Sequence, residues 1–134
     1  MIGLFLITHG SLGESLIQCA CHVLNKRPTQ LIQLGVSGQD DPLDILPLAQ
    51  QLLSYADKGR GVLLLTDIFG ATPSNIALKL LKPGHVEGVT GVSLPMLLRA
   101  LTYRDKDMTT LIAKAVSGGR DGVMQIKVER DAKS

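Results

Sequence analysis

Apolar runs alternate with helical patterns from one end of this chain to the other, and that alternation limits the fold more than any other feature of the sequence. Ile2 to Thr8 is almost continuously apolar, as a strand buried on both faces must be. Leu31 to Val36 and Val62 to Thr66 repeat the pattern, and Val86 to Val92 gives a fourth strand weakened by Gly88 and Gly91. Between them, apolar residues recur at helical spacing. Ser15 to Leu24 carries Ile17, Ala20, Cys21 and Leu24, and Arg27-Pro28 breaks it. Ile45 to Ala56 forms a second helix, with Asp44 expected as its N-cap so that Pro47 falls in the first turn, where a missing N–H costs nothing. Thr72-Pro73 reads as an N-cap and first helical residue, and Lys82-Pro83-Gly84 ends that third helix. Ser93 and Pro95 open a fourth helix. Leu111 to Val116 forms a fifth, which Gly118-Gly119 should stop. Val123 to Val128 alternates apolar and polar residues, the pattern of a final edge strand with one wet face. The expected architecture is therefore α/β, a doubly wound and mostly parallel sheet with helices on both faces.

Nothing in the 134 residues suggests more than one domain, so residues 1–134 are read as a single unit. With two Phe, two Tyr and no Trp, the core must be aliphatic, and base-stacking surfaces are scarce. A formal net charge of +2 is too small to argue for nucleic acid. No apolar run approaches the ~20 residues of a membrane-spanning helix. The start, Met1-Ile2-Gly3-Leu4, lacks the basic residues of a signal peptide, so the cytoplasm is the expected location. Cys19 and Cys21 are two apart on a helix and do not face each other, and with His22 they make a poor metal site. No metal and no cofactor is expected.

Parallel sheets bind ligands at the carboxyl ends of their strands, where the strand order reverses. Two segments carry chemistry at that edge: Thr8-His9-Gly10-Ser11 after the first strand, and Thr66 to Pro73 after the third. If the strand order is 2-1-3-4, His9 and Asp67 face one crevice. A carboxylate accepting one imidazole N–H fixes the tautomer, leaves the other nitrogen free to attack, and supports the positive charge that attack develops. Gly10 permits close backbone approach, a helix start near Glu14 offers free N–H groups, and Ser11, Thr66 and Thr72 supply hydroxyl donors for a phosphoryl group. No Walker lysine motif is present, so the phosphoryl group is expected from another protein rather than from a nucleotide. His22 lies on a helix and His85 begins a strand at the opposite edge, which leaves His9 as the candidate acceptor.

Thr8-His9-Gly10, the Thr66-Asp67-x-x-Gly70-x-Thr72-Pro73 segment, and Gly91-Val92-Ser93-Leu94-Pro95-Met96-Leu97-Leu98 together resemble the mannose-family enzyme IIA domain of the phosphoenolpyruvate-dependent sugar phosphotransferase system, over roughly residues 1 to 128. The resemblance implies a sheet of order 2-1-3-4 with an added antiparallel C-terminal strand. It implies phosphorylation of His9 on Nε2, with Asp67 bonding the other ring nitrogen. It implies the phosphohistidine carrier HPr as donor and a IIB protein as acceptor, here a separate chain, with the membrane involved only through a transporter complex. It also implies a homodimer, in which Val123 to Val128 is a candidate for exchange between subunits. The main alternative is a regulatory protein whose His9 phosphorylation state controls a partner without sugar transport. A related phosphocarrier subunit of dihydroxyacetone kinase shares the first strand and histidine, and a flavodoxin-like binder is disfavoured by the lack of a Gly-x-Gly-x-x-Gly loop.

Overall fold

A computed structural model describes residues 1–128 of the chain. The elements run β1 (Gly3–His9), α1 (Leu12–Leu24), β2 (Leu31–Val36), α2 (Pro42–Ala56), β3 (Val62–Thr66), α3 (Thr72–Leu80), β4 (Val86–Thr90), α4 (Leu94–Tyr103) and α5 (Met108–Asp121). The four strands pair in parallel in the order 2-1-3-4, as expected.

The central strands explain why the sheet forms. Leu4, Leu6, Leu63 and Leu65 point to one face and pack with Ile17, Leu97, Leu111 and Ala115 of α1, α4 and α5. Phe5, Ile7, Val62 and Leu64 point to the other and pack with Ala49, Ile76 and Leu80 of α2 and α3. All eight strand residues are completely buried. Each such side chain contributes on the order of 1.5–3 kcal/mol by leaving water, so two buried faces hold β1 and β3 at the centre.

After β1 the chain turns to α1 on one face; after β3 it turns to α3 on the other. The loops diverge and open a crevice beyond His9 and Thr66, whose strands are in register at Ile7 and Thr66.

Several boundaries differ from the sequence reading. The first helix begins at Leu12 rather than Ser15, with Ser11 as N-cap. The second begins at Pro42, because the Asp41 carboxylate accepts the Leu43 N–H at 2.9 Å and proline suits the first helical position. Asp44 is therefore a first-turn residue, not the cap, and Pro47 sits inside the helix. That proline withholds an N–H from the Leu43 carbonyl, a cost of about 3 kcal/mol, offset by the buried packing of the α2 face. Ala71, not Thr72, caps α3, and β4 ends at Thr90 rather than Val92.

The fifth helix runs from Met108 to Asp121, straight through Gly118-Gly119. Those glycines are contact points rather than stops: a Cβ on Gly118 would lie 2.8 Å from the Arg99 Cβ, and one on Gly119 2.8 Å from the Met96 Cε. The expected C-terminal antiparallel strand is not formed. Val123 to Val128 belongs to no helix or strand, with Val123, Met124, Ile126 and Val128 exposed. An alternating segment becomes a strand only where an edge receives it, and in the single chain it lies on none.

Candidate active site

His9 is the last residue of β1, and Asp67 follows the last residue of β3. One carboxylate oxygen, Asp67 Oδ2, accepts two hydrogen bonds from the same residue: the His9 backbone N–H at 3.0 Å and the ring at Nδ1, 2.8 Å away. The other oxygen, Oδ1, accepts the Ile68 N–H at 3.0 Å. Both the backbone and the ring of His9 are thereby tied to one fixed carboxylate. With Nδ1–H as the donor, Nε2 carries the lone pair, and the His9 side chain remains 51% exposed while that of Asp67 is only 13% exposed. Burial pushes the Asp67 carboxyl up, but the His9 backbone and ring hydrogen bonds outweigh it and hold the group below the ordinary carboxylate range. The aspartate is thus ionised and placed to counter positive charge on the imidazole.

The loop after His9 turns through Gly10 at φ 53°, in the left-handed region where glycine carries least strain. The buried Thr8 hydroxyl then accepts the Gly13 N–H at 2.8 Å, which fixes the first turn of α1. Gly13 suits that place because a Cβ there would lie 2.9 Å from the Thr8 Oγ1. Ser11 is exposed at the N-cap and makes no capping hydrogen bond with its side chain.

The other expected phosphate ligands are dispersed. Thr72 opens α3 and lines a groove with Pro42, Leu46 and Asn75. Thr66 is 4% exposed and its hydroxyl donates to Thr90 Oγ1 at 3.1 Å, on the α3 face of the sheet. Gly10 and Ser11 lie directly beyond His9, whereas the Thr66 hydroxyl is engaged elsewhere. Sequence reasoning missed Ser74, buried in α3, whose Oγ accepts the Gly70 N–H at 3.3 Å and braces the Asp67 loop. It also missed the apolar rim: Leu12, at the start of α1, and Ile68 and Phe69, on the Asp67 loop, are 41%, 58% and 70% exposed. Their occurrence beside His9 and Asp67 in the sequence was the available signal.

The other histidines are placed as expected. His22 is exposed in the last turn of α1. His85 lies at the opposite sheet edge, where its Nε2 is 2.6 Å from Asp57 Oδ2. Asp57 Oδ1 accepts the Gly59 and Gly61 N–H groups at 2.9 and 3.2 Å, so this second pair ties the exit of α2 to the start of β4. Among the described residues no group of three or more His, Cys, Asp or Glu is arranged to hold a metal.

Comparison with known proteins bears on both the fold and the family. A family model described as the PTS (phosphotransferase system) fructose IIA component matches residues 3–116. The chain belongs to this IIA family. The mannose-specific EIIAB component of Escherichia coli (strain K12) is 33% identical over 131 residues, which cover 96% of this chain and 40% of that protein. This IIA component thus spans less than half the length of the curated relatives it matches. Among solved structures, the mannose/sorbose specific IIA subunit from Enterococcus faecalis superposes with a TM-score of 0.86 at 20% identity, covering 98% of both chains. The phosphotransferase system component EIIA from Streptococcus agalactiae gives 0.82 at 18% identity, covering 93% of this chain and 97% of that one. At those identities the likeness is one of fold. IIA components are phosphotransferase components, and no helix among the described residues is long and apolar enough to cross a membrane.

Proposed function

We propose that this IIA component is a cytoplasmic phosphocarrier that accepts a phosphoryl group from phospho-HPr on His9 and passes it to a IIB acceptor of a mannose-family sugar phosphotransferase system. The observation that carries the reading is the 2.8 Å contact between His9 Nδ1 and Asp67 Oδ2, which leaves Nε2 as the nucleophile on a half-exposed ring.

In the first transfer, the Nε2 lone pair attacks phosphorus and the donor's P–N bond breaks, its electron pair returning to the donor imidazole. The Nδ1–H stays on His9, and Asp67 balances the charge that develops on the ring. Phosphoryl transfer needs chiefly alignment and donors for the equatorial oxygens. The free N–H groups at the start of α1 and the unengaged Ser11 hydroxyl stand nearest His9, with Gly10 allowing close approach and the Thr72 hydroxyl offered from the second loop. Transfer to the acceptor runs the same steps in reverse. The exposed Leu12, Ile68 and Phe69 around His9 suit a protein donor and acceptor rather than a free metabolite.

The reading is tested by incubation with phosphoenolpyruvate, enzyme I and HPr. His9 alone should be labelled, through a bond that is acid-labile and base-stable. His9→Ala should abolish labelling, and His22→Ala and His85→Ala should keep it. Label that survives His9→Ala, or that maps to Ser11 or Thr72, overturns the assignment.

A homodimer is part of the same proposal. Beyond the bridge between Val86 and Lys82, the outer edge of β4 has no strand partner among the described residues, and Val123 to Val128 is an exposed alternating segment, so pairing between two copies satisfies both. Ending the chain after Gly122 should lower the mass measured by light scattering; an unchanged mass refutes this role for the segment.

A further inference from the structure

At the amino edge of the sheet, one strand length from His9, lies a cleft of about 460 Å³ lined in part by Lys26, Arg27, Thr29, Leu101, Arg104 and Asp105. β1 spans seven residues, so the two regions are about 20 Å apart. The cleft belongs to neither the His9 loop nor its apolar rim.

Arg104 is its distinctive group. The residue is only 6% exposed, yet among the described residues its guanidinium makes a single hydrogen bond, from one terminal nitrogen to the Gln30 carbonyl at 3.3 Å. A guanidinium has five N–H donors, and a buried arginine ordinarily spends most of them on a carboxylate or on several carbonyls. None of the remaining donor atoms is sealed from solvent without a partner, and the residue lines the cleft. Lys26 and Arg27 stand exposed beside it, and Asp105 is the one carboxylate in the lining. Three cations thus face one anion. Burial holds the Arg104 guanidinium below its ordinary value, with Asp105 opposing, the mark of a charge that is incompletely compensated.

The C-terminal turns of α1 and α4 also border the cleft, and their carbonyls carry partial negative charge. Part of that charge is met within the chain: Lys26 and Asn25 N–H groups bond the Cys21 and His22 carbonyls, and the Lys106 N–H bonds that of Tyr103. The charged heads of Lys26, Arg27 and Arg104 make no ion pair with a carboxylate among the described residues.

We propose that this cleft binds a small divalent oxyanion of the phosphate or dicarboxylate kind, with the Arg104 guanidinium at its floor and Lys26 and Arg27 at its mouth. The guanidinium fork matches two oxygens of either class, the Thr29 hydroxyl adds a neutral donor, and the cleft volume falls in the range of small-ligand sites. Because the Arg104 carbonyl accepts the Ile2 N–H at 2.8 Å and its guanidinium holds the Gln30 carbonyl that also receives Leu4 N–H, an occupant here bears on the start of β1 and β2.

The test is amide NMR on the full chain, titrated with inorganic phosphate and, separately, with succinate, each at constant ionic strength balanced by sodium chloride. Saturating shifts are expected at residues 26–29 and 101–105, with a Kd in the range of about 1 mM. Saturation by phosphate alone, by succinate alone or by both identifies which member of the class the cleft takes. In Lys26→Ser/Arg27→Ser, whose changes are exposed, binding should weaken at least about tenfold while the His9 to Glu14 resonances stay in place. Arg104→Lys keeps the charge but loses the fork, and should weaken binding also. Shifts that never saturate with either anion, affinity unchanged in the double variant, or saturation confined to the His9 loop would each overturn the proposal.

Discussion

Replacing Asp67 probes the site most directly. In Asp67→Ala the fold should survive, since the residue lies in a loop beyond β3 and outside both core clusters. What disappears is one oxygen that fixes the His9 ring at 2.8 Å and the His9 N–H at 3.0 Å. A hydrogen bond to a charged group contributes about 1.5–3 kcal/mol. The ring contact strengthens as charge develops on the imidazole, so most of that value belongs to the transition state. At 1.4 kcal/mol per factor of ten, the rate of phosphoryl acceptance should fall about 10- to 150-fold. The backbone contact, made equally before and during transfer, adds little to the rate. Asp67→Asn keeps an acceptor of the same shape without the charge. A neutral bond is worth roughly half a charge-assisted one, so Asn should cost about tenfold or less. The assay is rapid-quench labelling from phospho-HPr at saturating donor, with circular dichroism to confirm the fold. Acceptance at the normal rate in a folded Asp67→Ala protein would refute the pairing as a catalytic device. An Asn variant slower than Ala would refute the charge argument.

The second His–Asp pair predicts a pH effect on stability. Hydrogen bonds from the Gly59 N–H, then His85 and Gly61, hold the Asp57 carboxyl below its ordinary value of 3.8, against burial. A depressed folded-state value means the stabilisation is complete above the ordinary range and is lost as pH falls through it. Urea midpoints of the native chain and Asp57→Asn should therefore differ at pH 6, and the gap should narrow as pH falls below the ordinary value of 3.8; a gap that stays constant to the lowest pH at which the protein folds would count against it. Gly118→Leu should destabilise by about 1–3 kcal/mol through overpacking, because the Gly118 position meets the Arg99 Cβ and the Pro95 carbonyl. Chemical denaturation that shows no loss would mean that the α4–α5 contact is not close.

Much of the fold was legible in the sequence because its information is local. The runs Ile2–Ile7 and Val62–Leu65 carry no polar side chain, and only a strand covered on both faces accommodates that, so β1 and β3 and the α/β class followed. The place of His9 followed too, since a residue that ends such a strand must emerge at the carboxyl edge. The candidate pair needed one further fact, that β1 and β3 are neighbours, which the parallel pairing supplies.

What the sequence could not decide were choices between locally equivalent options. Asp41 and Asp44 are both sound N-caps, and Asp41 prevails because its helix start places Pro42 at the first position while packing tolerates Pro47 within. Gly118-Gly119 reads as a stop, yet it lies within α5, because the close face of α4 rewards the missing side chains more than helix propensity penalises them. Thr66 reads as a site hydroxyl, yet strand alternation turns it to the α3 face, where Thr90 takes its proton. Val123 to Val128 has strand periodicity but joins no edge of its own chain's sheet. The sequence by itself determined which segments are strands and where His9 emerges, since burial pattern and chain direction are encoded residue by residue. The single oxygen that fixes both the ring and the backbone of His9 comes from 58 residues away, and only the tertiary pairing of β1 with β3 brings it there.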